Sequence, residues 1–246
     1  MGRYLCSGHK KPPVAARLCG LAVFVAVAVT SMTVARADIT IDTIASASGP
    51  VSPFGTPDSG ATPTYGELFV DPAGNPFLQS MTFDVANGGA TAIPFQAYVY
   101  AWNGTSITGS ALFTSAAQSI APSGSTFSLF TVGTGGVALT PGNSYVAFFS
   151  TIGFTGPSGS GSMQLAPAAS YPAGNFEYNN SATFAGLLAN SPPWNQFGNF
   201  GNLAFRLVFT SGQGGLTPEP SSFALASIGG VMSLGWWLRR RRAQAK

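Results

Sequence analysis

A chain of 246 residues with only 8% charged residues is long enough for one large domain or two small ones. Its net charge of +3 resides at the two ends, because ten of the 11 Lys and Arg residues precede residue 38 or follow residue 238. The middle holds one base, Arg206, against seven acids, a formal charge of −6, which excludes nucleic-acid binding. Both Cys residues and the single His precede residue 38, so the middle has no disulfide and no Cys/His metal site. No cofactor is expected.

Residues 1–37 have the parts of a secretory signal peptide. A basic start is followed by an apolar stretch over residues 18–29 that is expected to be helical. Ala35 and Ala37 place small side chains at the two positions that a signal peptidase reads, so the mature chain is predicted to begin at Asp38. The alternative is an uncleaved anchor helix.

Residues 38–211 have the composition of an all-β domain, rich in Gly, Pro, Ser, Thr and Phe and without a 3.6-residue apolar period. Alternating polar and apolar residues predict strands at 38–44, 65–70, 77–85, 95–102, 111–114, 126–132, 137–139, 144–151 and 203–210. A brief pairing is predicted at 163–165, and loops are predicted at 46–63, 154–162 and 171–194. About nine short strands between turns predict a single antiparallel β-sandwich of the jelly-roll type, followed by a linker at 212–217.

Two of these strands predict which side chains are buried. In the last one, Phe205 and Phe209 share an apolar face and the lone Arg206 points to solvent. In strand 95–102, three aromatic side chains alternate with small residues and share one face: Tyr98, Tyr100 and Trp102. We expect this aromatic stripe to pack in the core, and a sugar-binding surface is the alternative.

The middle section offers few groups for catalysis. A nucleophilic Ser needs a base, and His, Cys and Lys are all absent there, so the usual hydrolytic triads are excluded. A pair of carboxylates could support glycoside hydrolysis, and the candidates are Glu67, Asp71, Asp84 and Glu177. Sequence spacing brings no two of them together, and the chain is predicted not to be an enzyme.

Two kinds of ligand remain open. Calcium needs only oxygen ligands, which Asp71, the carbonyls of its turn and Asn75 could supply; a turn-stabilising Asp71 is the favoured alternative. Tyr171, Tyr178 and Trp194 lie in Asn-rich segments and are candidate sugar-binding residues, because flat rings stack on sugar faces while amides bond hydroxyl groups. The alternative is that these rings lie on the surface without a ligand.

The C-terminal residues combine three features in a fixed order. Pro218, Glu219 and Pro220 precede an apolar run at residues 223–238, and an arginine cluster, Arg239, Arg240, Arg241 and Arg242, follows it. The run predicts a transmembrane helix, and the arginines stop transfer because each charge is costly in hydrocarbon. An ordinary tail anchor is the alternative.

Residues 218–242 resemble the PEP-CTERM sorting signal of Gram-negative surface proteins. The resemblance implies that Pro218, Glu219 and Pro220 are recognised by the membrane peptidase exosortase, in a bacterium that makes exopolysaccharide. The stretches 65–69, 95–102 and 139–146 are similar to secreted jelly-roll modules found before such signals. Together these features predict a non-enzymatic protein of the cell envelope or biofilm matrix, held in the inner membrane until it is processed. A polysaccharide-binding module is the alternative, and a glycoside hydrolase is a more remote one.

Overall fold

The computed structural model describes residues 37–155, 160–196 and 201–212, and this part of the chain is mostly β-structure. Its fourteen strands are β1 Ile39–Asp42, β2 Gly49–Phe54, β3 Thr64–Val70, β4 Phe77–Asn87, β5 Ile93–Trp102, β6 Ile107–Thr114, β7 Gln118–Ile120, β8 Ser128–Ala138, β9 Ser144–Ser150, β10 Gly161–Ala166, β11 Asn175–Asn179, β12 Asn195–Gln196, β13 Asn202–Leu203 and β14 Phe205–Thr210. One short helix, α1 Phe184–Leu188, lies between β11 and β12. Three single-turn 3₁₀ helices occur at Ile44–Ser46, Pro57–Ser59 and Ala168–Ser170.

The strands form two antiparallel sheets of seven strands each. The first sheet has the order β1-β14-β4-β10-β13, with β8 also paired with β4 and β2 with β10. The second has the order β12-β11-β3-β9-β5-β6, with β7 also paired with β5. Strands that neighbour one another within a sheet are mostly distant in the chain, so the connections repeatedly cross between the sheets.

The main core lies between the sheets and contains buried apolar side chains from both. Phe83 of the first sheet meets Phe149 of the second with ring centroids 4.9 Å apart. Phe209 of the first sheet likewise lies against Phe69 of the second, with ring centroids 5.9 Å apart. The sheets therefore pack face to face, and the predicted all-β, antiparallel class is confirmed. The helices predicted within residues 1–37 and at 223–238 lie outside the described residues.

Two hydrogen bonds join the sheets along one edge. The Phe176 N–H of β11 donates to the Gly201 carbonyl at 2.8 Å, just before β13 of the other sheet begins. The Leu203 N–H of β13 donates to the Glu67 carboxylate of β3 at 2.7 Å. This edge of the sandwich is held by polar contacts as well as by apolar packing.

The last strand has the predicted register. Phe205 and Phe209 are fully buried, while the Arg206 side chain is 41% exposed and its Nε lies 2.7 Å from Asp42 Oδ2. The alternation in strand 95–102 is also confirmed, because Ala97 and Val99 belong to the main core and Tyr98 and Tyr100 lie on the other face.

Three segments differ from the sequence prediction. Residues 46–63 were predicted to be a loop but contain β2, which pairs with β10. The strands predicted at 126–132 and 137–139 are one strand, β8, in which Gly135 and Gly136 have positive φ at a break in register. Residues 171–194 contain β11 and α1, whose first turn is capped by the Thr183 hydroxyl accepting from the Gly186 N–H.

Candidate functional site

The C-terminal sorting residues and Ala35 lie outside the described residues, so their predicted roles stay predictions. Ala37 and Asp38 are exposed and belong to no helix or strand. Within residues 37–155, 160–196 and 201–212, no helix has both the length and the apolar character needed to cross a bilayer.

The three aromatic residues predicted as candidate sugar-binding residues do not lie on one face of the second sheet. Tyr171 and Tyr178 are half-buried and pack against the main core; the Tyr171 ring meets Phe205 at 5.8 Å. Trp194 is 7% exposed and belongs to a separate cluster on the outer face of the second sheet. Sequence position could not separate these environments, because β11 and α1 were not recognised.

That outer-face cluster contains the predicted aromatic stripe. Tyr98 and Tyr100 of β5 stack on Phe148 of β9, with centroids 5.1 and 5.9 Å away. Tyr98 and Tyr100 are buried as predicted, whereas Trp102 is only half-buried, and the stripe does not join the main core between the sheets. Burial raises the pKa of both tyrosines, and the Tyr98 hydroxyl donates to Gln96 Oε1 at 2.9 Å.

The cover over this outer-face cluster is thin. Helix α1 contributes Leu187, which is fully buried, and Phe184, whose ring lies 4.9 Å from Tyr98. Trp194 covers the far end of the cluster, where its ring lies edge-on to the Trp102 ring with centroids 5.7 Å apart. Trp102 stays half-buried at the rim, and the buried Trp194 Nε1 has no hydrogen-bond partner within the described part of the chain.

Glu67 and Glu177 are both buried, at 0% and 1% exposure, and lie on opposite faces of the second sheet. In the pairing of β3 with β11, Glu67 is opposite the core residue Phe176, whereas Glu177 is opposite Gly66 on the outer side. Burial raises the pKa of Glu67 well above its ordinary value; the Leu203 N–H opposes this rise and the charge of Glu177 adds to it. Burial also raises the pKa of Glu177, against hydrogen bonds from Gln196 and Asn175. The two carboxyl groups do not face a common cleft.

The two aspartates among the carboxylate candidates lie elsewhere. Asp84 of β4 is half-buried, and burial raises its pKa. Asp71 follows β3 and is 1% exposed; burial raises its pKa to about 6. Asn75, the other residue of the predicted calcium turn, is equally buried, and its Nδ2 donates to the Ala37 carbonyl at 2.8 Å. No group of three His, Cys, Asp or Glu side chains among the described residues could hold a metal ion.

A surface depression of about 260 Å³ lies between β6 and β8. It was not predicted, since neither strand carries a motif that marks a site. Its lining residues are Phe113, Thr114, Ser115, Ala116, Gln118, Thr131, Val132 and Gly133. None of them is ionisable, so the depression offers no acid or base.

Comparison with known proteins finds likeness in structure only. No known family and no curated protein sequence matches the chain. A clostridial cysteine protease, Cwp84 C116A after propeptide cleavage, matches with a TM-score of 0.44 and 13% identity over 71% of this chain and 40% of that one. The cysteine protease and lectin-like domains of Cwp84, a surface layer associated protein of Clostridium difficile, match with a TM-score of 0.37 and 15% identity over 61% of this chain and 32% of that one. The match thus spans less than half the length of each of these two Cwp84 chains.

Proposed function

We propose that this chain is an exported, non-enzymatic β-sandwich protein of the cell envelope or biofilm matrix of a Gram-negative bacterium, sorted by exosortase through its C-terminal segment. One observation carries the proposal. Pro218, Glu219 and Pro220, the apolar run at 223–238 and the arginine cluster follow one another in that order at the end of the chain.

The charge distribution supports export of the section that precedes Pro218. Arginine is costly in hydrocarbon, so Arg239 to Arg242 stay in the cytoplasm and everything before Pro218 lies on the far side of the inner membrane. Signal peptidase and exosortase are the partners during export, and the membrane is a partner until the tail is removed.

The positions of the carboxyl groups support a non-enzymatic role. A glycoside hydrolase needs two carboxyl groups about 5–10 Å apart that face one bound sugar. Glu67 points into the core and Glu177 to the outer face, and neither is accessible to a polymer. The finer architecture that we assign is a jelly roll, because strands distant in the chain alternate within two antiparallel sheets.

Polysaccharide binding is the second candidate, and the outer-face cluster favours it. Trp102 is half-buried at the rim of that cluster, in the same cluster as Tyr100, and the amide of the next residue, Asn103, is engaged in its own turn by accepting from the Thr105 and Ser106 N–H groups. Stacking of the exposed part of the Trp102 ring on the apolar face of a sugar would need no catalytic residue. The ligand would be an extracellular polysaccharide.

The sorting proposal is tested with three single substitutions, Glu219→Gln, Pro218→Ala and Pro220→Ala. The prolines fix φ and hold the segment extended, and Glu219 supplies the only acid after Glu177. We expect each variant to keep its tail in a host that contains the peptidase, seen as a larger species on a gel and as loss of release. Ser222→Ala, just outside the motif, is the matched control and should be processed normally. Normal processing of all three variants would reduce the tail to an ordinary anchor.

A further inference from the structure

Strand β8 lies at an open edge of the first sheet. Over residues 77–83, β4 pairs with β14 on one side and with β8 on the other. Within residues 37–155, 160–196 and 201–212, β8 pairs with no strand besides β4. Alternate residues of an edge strand direct their N–H and C=O groups away from the sheet. The far side of β8 therefore presents a row of main-chain donors and acceptors that no strand of the described part of the chain uses.

The other edges of the sandwich have features that hinder the addition of a strand. β1 is short and carries the ion pair of Asp42 with Arg206. β2 contains Pro50 and Pro53, which have no N–H to donate. β7 and β12 have only three and two residues, and β6 loses register with β5 along its length. Short length, charge, proline and irregularity are the means by which edge strands avoid pairing with another chain.

The first part of β8 has none of these features. Ser128 to Gly133 pair with β4 in continuous register, and the break at the glycines comes after them. β8 contains no proline and no charged residue. The uncharged region extends well beyond the strand, because the sequence between Asp84 and Glu177 has no Asp, Glu, Lys, Arg or His. β8 is thus a regular, uncharged edge on a domain whose one base and seven acids give a formal charge of −6.

Two properties of this edge suit a second copy of the same chain. Antiparallel pairing of a strand with its own copy satisfies a two-fold axis, so both copies contribute the same surface. Copies with the same net charge repel one another, and an edge without charge is where they meet at the lowest electrostatic cost. A charged peptide, in contrast, would find no ion pair along β8.

The depression between β6 and β8 fits the same partner. The inward side chains of β8 include Phe130 and Val132, which pack with the main core. Because side chains alternate between the faces of a sheet, a second β8 beside the first would direct its own Phe130 and Val132 toward the second sheet. They would lie over the depression, whose lining is uncharged and includes Phe113. Pairing through β8 would therefore bury apolar surface as well as main-chain groups.

We propose that the chain forms a two-fold dimer in which β8 pairs antiparallel with β8 of a second copy, centred near Thr131. The first sheets of the two copies then form one continuous sheet, joined by about six main-chain hydrogen bonds over residues 128–133. Inward side chains of each copy cover the depression of the other. The outer face of the second sheet stays free in both copies, so the dimer presents it twice.

The oligomeric state of the full chain, purified in mild detergent, is measured by sedimentation over a range of protein concentrations. We expect a dimer for the parent. Thr131→Lys and Thr131→Glu should each raise the dissociation constant of the dimer by more than about tenfold, since like charges then face each other across the axis. An equal mixture of the two variants should restore a dimer that contains one copy of each.

Two control variants separate the added charge from its side effects. Thr131→Val removes the contact between the hydroxyl groups of Thr131 and Thr82, which lie 2.8 Å apart, and adds no charge, so it should dimerise like the parent. Thr40→Lys places the same lysine at an exposed threonine of β1, the opposite edge of the first sheet, and should also dimerise. The predicted membrane segment at 223–238 is present in every variant, so association through it would not respond to residue 131.

Hydrogen exchange of the parent alone is a second measurement, which holds if the charged variants fail to fold. The amides of residues 128–133 should exchange more slowly as the protein concentration rises, while those of β1 should not change. A parent that stays monomeric, a Thr131→Lys dimer as tight as that of Thr40→Lys, no mixed dimer, or exchange in β8 that ignores concentration would each overturn the proposal.

Discussion

The two faces of the second sheet bury aromatic side chains in different ways. On the inner face, Phe95 and Phe149 are fully buried beneath the opposite sheet, and Phe149 lies 4.9 Å from Phe83 of that sheet. On the outer face, Tyr98 and Tyr100 lie beneath a five-residue helix and one tryptophan. Both faces bury aromatic rings, but only the inner face is covered by a whole sheet.

The residue types of the two faces overlap, because Tyr65 and Tyr145 belong to the main core and Phe148 belongs to the outer-face cluster. Under a thin cover, the polar end of a tyrosine can still reach a hydrogen-bond partner. The Tyr98 hydroxyl, for example, reaches Gln96 Oε1 at 2.9 Å. The difference in cover predicts that the inner face contributes more to the stability of the fold than the outer face does.

The largest effect is expected from two neighbours on β9 that point to opposite faces. Phe149→Ala should lower the free energy of unfolding by about 3–5 kcal/mol, because rigid sheets on both sides cannot fill the cavity. Phe148→Ala should cost less, about 2–3 kcal/mol, because α1 can settle into the space. Both are measured by urea unfolding.

Unchanged denaturant slopes in both variants would show that the native states are comparable. Equal losses for Phe148→Ala and Phe149→Ala would end the distinction between a rigid inner face and a thinly covered outer one.

A second comparison uses the two glutamates of these faces. Their folded pKa values are raised by burial, so between the ordinary pKa and the raised value the folded state holds protons that the unfolded state has released. The stabilisation from these two carboxyl groups is therefore fully present below their ordinary pKa of 4.5 and is lost as the pH rises through the folded pKa values. The midpoint of thermal unfolding should therefore fall as the pH is raised above that ordinary value.

Glu67→Gln should flatten this decline, since the amide oxygen can still accept from the Leu203 N–H without a proton to lose. Glu177→Gln should flatten it less, because that carboxyl group keeps hydrogen bonds from Gln196 and Asn175 when it is charged. The exposed Asp58→Asn is the control. A stability that rises with pH in the parent would contradict the assigned protonation of Glu67.

The alternation of residue types along the sequence predicted strands that place every second side chain in the main core. β5 and β14 were recognised because their apolar residues recur at every second position, and the burial of Phe205 and Phe209 followed from that pattern. β2 was missed because Gly49, Pro50 and Pro53 are turn residues. It is a strand through pairing with β10 and burial of Phe54, and neither contact can be read from its own sequence.

Glycines and short elements account for the other differences. Gly133 to Gly136 separated two predicted strands, whereas β8 passes through them with a break in register while staying paired with β4. α1 has only five residues, too few for a 3.6-residue period to be seen. Without α1 the outer face had no visible cover, so the aromatic stripe was assigned to the main core.

The candidate sites were predictable to a smaller degree. Turn chemistry singled out Asp71 and Asn75, but burial of the Asp71 oxygens depends on a tertiary environment that includes the turn at 140–143. The opposite directions of Glu67 and Glu177 depend on the register of β3 with β11, which was not predicted because β11 lay in an expected loop.

The smallest effect on stability is expected at the rim of the outer face. Trp102 is half-buried and meets Trp194 edge-on, so Trp102→Ala should cost about 1–2 kcal/mol, less than either phenylalanine variant. If the outer face binds polysaccharide, the same change removes a stacking surface and should weaken binding to exopolysaccharide purified from the host by about tenfold or more. Affinity electrophoresis at a temperature well below unfolding measures it. Leu129→Ala, which removes an exposed apolar side chain of the first sheet, is the control and should bind like the parent. Equal binding by Trp102→Ala and the parent would leave the outer-face cluster as a second, purely structural core, and the difference between the two faces would then be one of stability alone.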